Sequence, residues 1–347
     1  MTEQHEGFMD RLSAHLDRGW ELVTQGDLSG AMASAEQTLE LDGDSPDAHN
    51  LIGYIHAANG NLELALEHYR QAIELDEHYL EAMLNAAELL IHPLGSFEEA
   101  IRVLDQALES CQTADDIADA SVLKVDALLQ QGDRAAAAEL LLGLPEGPFE
   151  NEQLDFLIGR AHFELDQLEL AARLIERAAA RSDASPDVTY YLGLLRDRQE
   201  RPAEASLAFL KTRHLDGQLP RPPWSVSHGR FEKVVQGALR ELPDEIAERL
   251  EGNLIMVTDL PGLEIVAEGI DPRTPLLLDE IAANGRHEDQ RRLFVYQRNI
   301  ERLIRHPMEL QRDVLEILQR ELETHFKQPS AAPAEAAVSP ETPIAKS

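Results

Sequence analysis

The chain has 347 residues, of which 43% are hydrophobic and 5% aromatic, and its formal net charge is −33. This length suits two folded units, and the hydrophobic fraction excludes a chain that is disordered throughout. Residues 1–219 carry 42 acidic and 15 basic side chains, a net charge of −27, which disfavours nucleic acid and anionic lipid as partners and favours basic ones. The same acidity is also explained by solubility alone.

The cysteine content and the hydropathy of the sequence indicate in which cellular compartment the protein is expected. Cys111 is the only cysteine, so no intrachain disulfide can form. The N-terminal sequence MTEQHEGFMD has neither the basic nor the apolar region of a signal peptide. The chain also has no run of 18 apolar residues, the length that a spanning helix needs. We therefore expect a cytoplasmic protein that does not bind membranes.

A repeat of about 34 residues follows an N-terminal extension, predicted over residues 1–11. Each copy pairs a turn with an Ala-rich amphipathic stretch, and the turn sequences are Gln25-Gly26-Asp27, Asn59-Gly60-Asn61 and Gln131-Gly132-Asp133. Alignment on these turns predicts six repeats over residues 12–219, which start near residues 12, 46, 80, 118, 152 and 186. Fixed periods of this length are typical of stacked helical hairpins.

The positions of small residues carry a resemblance. The eighth position of the repeat is occupied by Gly19, Gly53, Ala87, Gly159 and Gly193, and the twentieth by Ala31, Ala65, Ala100, Ala137, Ala171 and Ala205. This register resembles the tetratricopeptide repeat, which implies an all-α superhelix that binds other proteins. Val125 departs from the pattern in repeat 4, and repeat 3 needs one inserted residue near residues 92–95.

The resemblance also implies which residues face the concave groove of the superhelix. In that family they occupy the second, fifth, ninth and twelfth positions of the first helix of each repeat. The candidates for partner binding are Trp20, Asp47, Asn50, Tyr54, Glu81, Glu88, Asp119, Asp126, Phe156, Arg160, Phe163, Asp187, Tyr190 and Asp197. Acids interleaved with aromatics favour a basic or amphipathic protein segment as the ligand, although the aromatics could equally serve packing. The family's carboxylate clamp is not expected, because its positions lack cations and hold Asn50, Tyr54, Asn85, Asp119 and Leu123.

A second domain is predicted after a proline-rich linker at residues 220–229. Residues 231–250 predict a helix that is split at 242–244, with Asp244 as the cap of its second part. Strands are predicted at residues 253–258, 275–278 and 292–296, and helices at 299–305 and 308–326. The remaining residues, 328–347, are rich in Ala, Pro and Ser and predict a disordered tail.

The order of these elements, with segments such as FEKVVQGALRELPDEIAERLEGNLIMVTD, resembles the minimal zincin-like metallopeptidase family, which implies a small α+β domain over residues 230–327. That family binds Zn²⁺ through an HExxH helix, in which the glutamate activates water. Here the matching residues read RELET: Glu321 is present, whereas Arg320 and Thr324 replace the two histidines, and His325 comes one position too late. His287-Glu288-Asp289 is interpreted as a polar loop.

The altered motif leaves several functions open for this domain. We expect no catalytic residue, no metal and no cofactor, which makes the chain a non-catalytic adaptor. The alternatives are a peptidase with unconventional zinc ligands and a domain that only caps the last repeat.

Overall fold

The computed structural model describes residues 2–92, 94–145, 147, 149–181, 183–280, 291–304 and 307–327, with the backbone alone for residues 2–10, 280, 291 and 307. The chain divides into two compact units, residues 1–212 and 213–347. The predicted tail and the loop His287-Glu288-Asp289 lie outside the described residues.

The N-terminal unit consists of helical hairpins. Their first and second helices are α1 (Thr2–Thr24) and α2 (Leu28–Leu41), α3 (Pro46–Ala58) and α4 (Leu62–Leu75), α5 (Leu80–Ile91) and α6 (Phe97–Ser110), α7 (Ala114–Gln131) and α8 (Arg134–Leu142), α9 (Leu154–Glu164) and α10 (Leu168–Ala179), and α11 (Pro186–Arg198) and α12 (Pro202–Gln218). The residues predicted as an N-terminal extension are helical from Thr2 and continuous with α1. In the described part of the chain, no helix has the length and apolarity needed to cross a membrane.

The repeated turn sequences end one helix and start the next. Their glycines adopt the left-handed conformation that terminates a helix, at Gly26, Gly60 and Gly132, with φ of 79°, 78° and 89°. Asp27 then caps α2 by accepting a 2.9 Å hydrogen bond from the Gly30 amide. Asp133 caps α8 in the same way, at 3.0 Å from the Ala136 amide. The turns therefore set the hairpin boundaries locally.

Small residues allow the two helices of a hairpin to approach each other. A Cβ atom at Gly53 would lie 2.7 Å from the ring of Tyr69, and one at Gly193 would lie 2.3 Å from the ring of Phe209. The six alanines at the twentieth position are at most 2% exposed. The small residues at these two positions of the repeat are therefore contacts between helices.

The C-terminal unit combines helices with a three-stranded sheet. Its elements are α13 (His228–Arg240), α14 (Asp244–Leu250), β1 (Leu254–Thr258), α15 (Leu263–Ala267), β2 (Leu276–Glu280), β3 (Arg291–Tyr296), α16 (Gln297–Glu301), a 3-10 turn (Pro307–Glu309) and α17 (Leu310–Lys327). The strand order is β1-β3-β2, with β1 parallel and β2 antiparallel to β3. The sheet and the helices α13 and α17 enclose a core that contains Phe231, Val235, Leu293, Val314 and Leu318.

Three local features differ from the sequence predictions. Pro243 occupies the N-cap of α14 and Asp244 is the first helical residue, so the prediction of Asp244 as the cap is wrong. The helix predicted over residues 299–305 is observed as α16, which begins at Gln297 and ends at Glu301. Helix α15 was not predicted, since five residues are too few to show a helical period.

Asp216, near the end of α12, is a buried carboxylate of the C-terminal unit and is only 1% exposed. The guanidinium of Arg273 donates to both of its oxygens, at 3.0 and 3.1 Å, and Arg302 lies 2.9 Å away. Arg298 donates to the Asp216 carbonyl at 3.0 Å. These charge-assisted hydrogen bonds fix the end of α12 to α16 and to the segment before β2.

Candidate partner-binding groove

The groove candidates all lie on the first helices of the hairpins. These helices, α1, α3, α5, α7, α9 and α11, contact one another in succession. They form one continuous surface, which we call the groove face. All fourteen candidate residues belong to these six helices, but the neighbours of each residue determine whether its side chain is accessible.

The groove face of repeats 1 to 3 carries an acidic–aromatic patch, which we define as Trp20, Asp47, Tyr54, Glu81 and Glu88. The ring of Tyr54 is 40% exposed and meets the half-buried Trp20 edge-on, with 5.4 Å between the ring centroids. The three carboxylates are exposed. Burial raises the pKa of the Tyr69 hydroxyl, and Tyr54, Glu88 and Glu81 raise it further, which places these three side chains around one phenol.

A hydrogen-bonded network links repeats 2 and 3 beside this patch. The amide nitrogen of Asn50 donates to Glu81 at 3.1 Å and to the Tyr79 hydroxyl at 3.3 Å, and its oxygen accepts from Asn85 at 3.0 Å. The Tyr79 hydroxyl donates to Asp47 at 2.9 Å, and burial together with this bond raises the pKa of Tyr79. Asn50 is fully buried, so its amide orients its neighbours within the chain.

Residues of repeats 3 to 6 line a cavity of about 350 Å³ on the same face. Asp126 lies 3.3 Å from the His92 imidazole and 3.5 Å from the Arg160 guanidinium. The one cation among the candidates is therefore already paired with a carboxylate. The apolar residues that line the cavity include Val122, Val125 and Leu157. Its polar lining residues include His92, Asp126, Arg134, Arg160, Glu164 and Tyr191.

Asp119 occupies a different environment on α7. Its carboxylate is half-buried and accepts a 3.1 Å hydrogen bond from the side chain of Asn151. Burial raises its pKa, and the nearby charges of Asp115 and Asp116 act in the same direction. This residue is held within the chain and contributes less to the exposed negative surface than Glu81 or Glu88.

The aromatic candidates of repeats 5 and 6 mainly pack against other rings. Phe156 and Phe163 are each 9% exposed and meet Tyr191 edge-on, at centroid distances of 5.7 and 5.6 Å. Tyr190 lies 5.9 Å from Tyr191 and 6.2 Å from Phe209. These rings hold α9 and α11 together, whereas Asp187 and Asp197 on α11 are exposed.

The sequence analysis did not identify several residues that contact the groove candidates or line the cavity beside them. These residues are Tyr79, His92, Arg134, Glu164 and Tyr191. None of them occupies one of the four groove positions of a first helix. Tyr79 precedes α5, and Arg134 begins a second helix. Tyr191 directly follows a candidate, and its hydroxyl donates to Glu164 at 2.7 Å. The adjacent tyrosines in the sequence were the available signal for an aromatic cluster.

The altered HExxH segment lies on α17. Arg320 donates to Glu321 at 3.0 Å, and Lys327 pairs with Glu323 at 3.2 Å. Thr324 donates to the backbone carbonyl of Arg320 at 2.8 Å. Among the described residues, no three His, Cys, Asp or Glu side chains are placed to hold a metal ion.

Comparison with known families supports the repeat register. A tetratricopeptide repeat model matches residues 16–79, 94–151 and 156–220, and a second one matches residues 56–116. The chain belongs to the tetratricopeptide repeat family. Proteins of this family bind other proteins, so this finding establishes the N-terminal fold and its general role in protein interaction, and it leaves the C-terminal unit unassigned.

Curated relatives match part of this region. The photosystem I assembly protein Ycf3 of Rippkaea orientalis is 31% identical over 100 residues, which are 26% of this chain and 58% of that protein. Ycf3 of Synechococcus elongatus is 30% identical over 107 residues, which are 28% of this chain and 61% of that protein. The chain thus spans about three-fifths of the length of these relatives.

Two solved structures share the fold of the repeats. The Pseudomonas aeruginosa protein pilF is 18% identical, with a TM-score of 0.51, over 61% of this chain and 95% of its own. PilW, a type IV pilus biogenesis factor, is 17% identical, with a TM-score of 0.52, over 60% of this chain and 94% of its own. At these identities the similarity concerns the fold alone.

Proposed function

We propose that this protein is a non-catalytic adaptor that binds a basic or amphipathic segment of a partner protein along the groove face. The observation that carries the proposal is the acidic–aromatic patch of repeats 1 to 3. Its carboxylates are exposed, and within the described residues no Lys or Arg side chain forms an ion pair with Asp47, Glu81 or Glu88. Negative charge that is not neutralised within the chain attracts a cationic segment.

The aromatic part of the patch refines the expected ligand. The exposed ring of Tyr54 offers a face to an aliphatic side chain or to a cation, and it belongs to the same groove face as the two exposed glutamates of α5. A segment that alternates Lys or Arg with apolar residues would use both properties. Nucleic acid and anionic membranes do not fit this charge. The single cysteine, Cys111, is consistent with a cytoplasmic location.

The names of the similar proteins agree with a role in assembling other proteins. Ycf3 is a photosystem I assembly protein, and PilW is a type IV pilus biogenesis factor. Those partners belong to those proteins, and the groove residues do not identify a counterpart here. What this chain shares with them supports an adaptor whose ligand is a protein segment.

A charge reversal on α5 tests the groove. The double variant Glu81→Lys/Glu88→Lys is expected to bind a fluorescent peptide of alternating Lys and Leu about ten-fold or more weakly than the native chain at low salt, because each exposed carboxylate attracts the peptide. Fluorescence anisotropy measures the Kd. The variant Tyr54→Ala is expected to weaken binding at both low and high salt, since the ring contact is not screened.

The matched control places the same change of charge on α2, where Glu36 and Glu40 are exposed outside the groove face. The variant Glu36→Lys/Glu40→Lys should bind the peptide nearly as tightly as the native chain. Equal losses in both double variants would show that the total charge binds the peptide, which would contradict the groove proposal.

We further propose that residues 230–327 form a zincin-like domain that has lost its metal site. The order of α13, β1, β3 and α17 supports this, as does the segment Arg320-Glu321-Leu322-Glu323-Thr324 at the position of the HExxH motif. A single carboxylate that is paired with an adjacent arginine is a poor zinc site, because zinc needs three or four converging donors. The domain would therefore serve as a second binding surface or as a cap of the repeats.

Elemental analysis of protein purified without chelator tests this part. We expect less than about a tenth of an equivalent of zinc, because affinity requires a full set of ligands. A content near one equivalent that is lost in His325→Ala would support a peptidase with unconventional ligands. In that case Glu321→Gln should abolish peptide hydrolysis, whereas under the adaptor proposal it changes nothing.

A further inference from the structure

Three histidine rings stack inside the second hairpin. His49 and His56 lie two turns apart on α3, and the ring of His68 on α4 lies near both, with centroid distances of 5.3 and 5.5 Å. The ring planes are nearly parallel, at 26° and 16°. Between the two α3 histidines, Gly53 allows the close approach of α3 to α4. The rings therefore occupy the seam that holds this hairpin together, and we call them the histidine stack.

The hydrogen bonds of the stack suit uncharged rings. The Nδ1 atoms of His49 and His68 lie 3.1 Å apart. At this distance one Nδ1 atom carries a proton and donates it to the other, which must be unprotonated in order to accept. The backbone of Gly43 raises the pKa of His49 and so acts against the uncharged ring, but burial, which lowers this pKa, is the larger effect. The Nδ1 atom of His56 is buried without a hydrogen-bond partner. Adding protons would break the bond between the rings and bring positive charges together.

Few charged side chains surround the stack. Asp44, in the turn between α2 and α3, favours a protonated His49, and Glu67 on α4 favours a protonated His68. Besides the neighbouring histidines, these two carboxylates are the charged groups that shift the pKa values of the two rings. They do not remove the cost of charging His49 and His68, whose rings share one proton, so acid should open the seam.

We propose that His49 and His68, with the ring of His56 stacked on His68, form a pH-sensitive element that holds the second hairpin closed while His49 and His68 are neutral and loosens it when they are protonated. Helix α3 carries the stack on one side and Asp47 and Tyr54 of the acidic–aromatic patch on the other. Loosening of α3 thus disturbs the patch, and this last consequence rests on the proposed groove function.

The direction of the pH dependence follows from burial. Burial lowers the pKa of His49, and it lowers the pKa of His68 together with the charges of the two neighbouring histidines. The unfolded chain has the ordinary value of 6.5 and therefore takes up protons first as the pH falls. The stabilisation is complete above pH 6.5 and is lost as the pH falls from there through the lower pKa values of the folded state.

Hydrogen exchange of the full chain without any partner tests the proposal. On lowering the pH from 7.5 to 5.5, the protection factors of the α3 and α4 amides are expected to fall relative to those of α9 and α10, because the opened hairpin takes up protons that the closed stack does not. In His49→Gln/His68→Gln this relative fall should disappear. In His78→Gln, which removes an exposed histidine, it should persist.

Two other results would overturn the proposal. One is an equal fall of protection in the native chain and in the double glutamine variant, and the other is no fall in the native chain. If the variant does not fold, NMR titration of the histidine rings in the native chain decides: His49 and His68 should titrate below the ordinary value of 6.5, and midpoints at or above that value would refute the element. Because this readout needs no peptide, it fails or succeeds independently of groove binding.

Discussion

Replacing Asp216 by alanine is expected to lower the free energy of unfolding of the C-terminal unit by about 3 kcal/mol. The Asp216 carboxylate is 1% exposed and accepts hydrogen bonds from two nitrogens of the Arg273 guanidinium. The guanidinium of Arg302 lies 2.9 Å from it. Removal of the carboxylate takes from the buried Arg273 guanidinium the acceptor of two of its hydrogen bonds, and this loss is the main cost. The end of α12 also loses its ion pair with Arg302, while the hydrogen bond from Arg298 to the backbone carbonyl of residue 216 remains.

The measurement can be confined to this unit. The chain has two tryptophans, Trp20 in residues 1–212 and Trp224 in residues 213–347. In a Trp20→Phe background, urea unfolding followed by fluorescence reports on the C-terminal unit alone. The variant Glu309→Ala, which breaks an exposed pair with Arg312, serves as the control and should unfold as the native chain does. A loss below about 1 kcal/mol in Asp216→Ala would show that solvent already screens the pair.

This cluster illustrates what the sequence could not predict. Asp216 and Arg273 are 57 residues apart, and no local pattern indicates that they meet. The hairpins, in contrast, depend on short-range signals: a glycine that can adopt a left-handed conformation, an aspartate that caps the next helix, and a small residue at each close contact. Repeat folds are accessible to sequence reasoning because each unit contacts mainly its neighbours.

In the candidate groove, too, some features could be predicted from the sequence and others could not. The repeat register predicted which helices carry the groove residues, because a fixed position in a helix points in a fixed direction. Accessibility depends on neighbours that follow no register. Asn50 is buried under Tyr79 and Glu81, and Phe156 packs on Tyr191. The carboxylates of Asp47, Glu81 and Glu88 are exposed, and the proposed groove binding depends on them most directly.

Introducing leucine at Gly193 is expected to destabilise the sixth hairpin by about 2 kcal/mol, the usual scale for overpacking a filled interior. A Cβ atom there would lie 2.3 Å from the ring of Phe209, which is itself buried, and the remaining leucine atoms need further space. The better helix propensity of leucine offsets part of this cost. Urea unfolding followed by circular dichroism, with hydrogen exchange of the α11 and α12 amides, measures the loss.

A second substitution distinguishes a clash with the ring from a general effect of the side chain. Phe209→Ala alone should destabilise the hairpin because it leaves a cavity, and combined with Gly193→Leu it should cost less than the sum of the two, since the leucine fills the space of the ring. Gly43→Leu is the matched control, because only one backbone oxygen lies within 4 Å of its Cβ position and little loss is expected. If the two losses of free energy of unfolding simply added, the side chains at positions 193 and 209 would not be in contact. The eighth position of the repeat would then not determine how closely α11 and α12 pack.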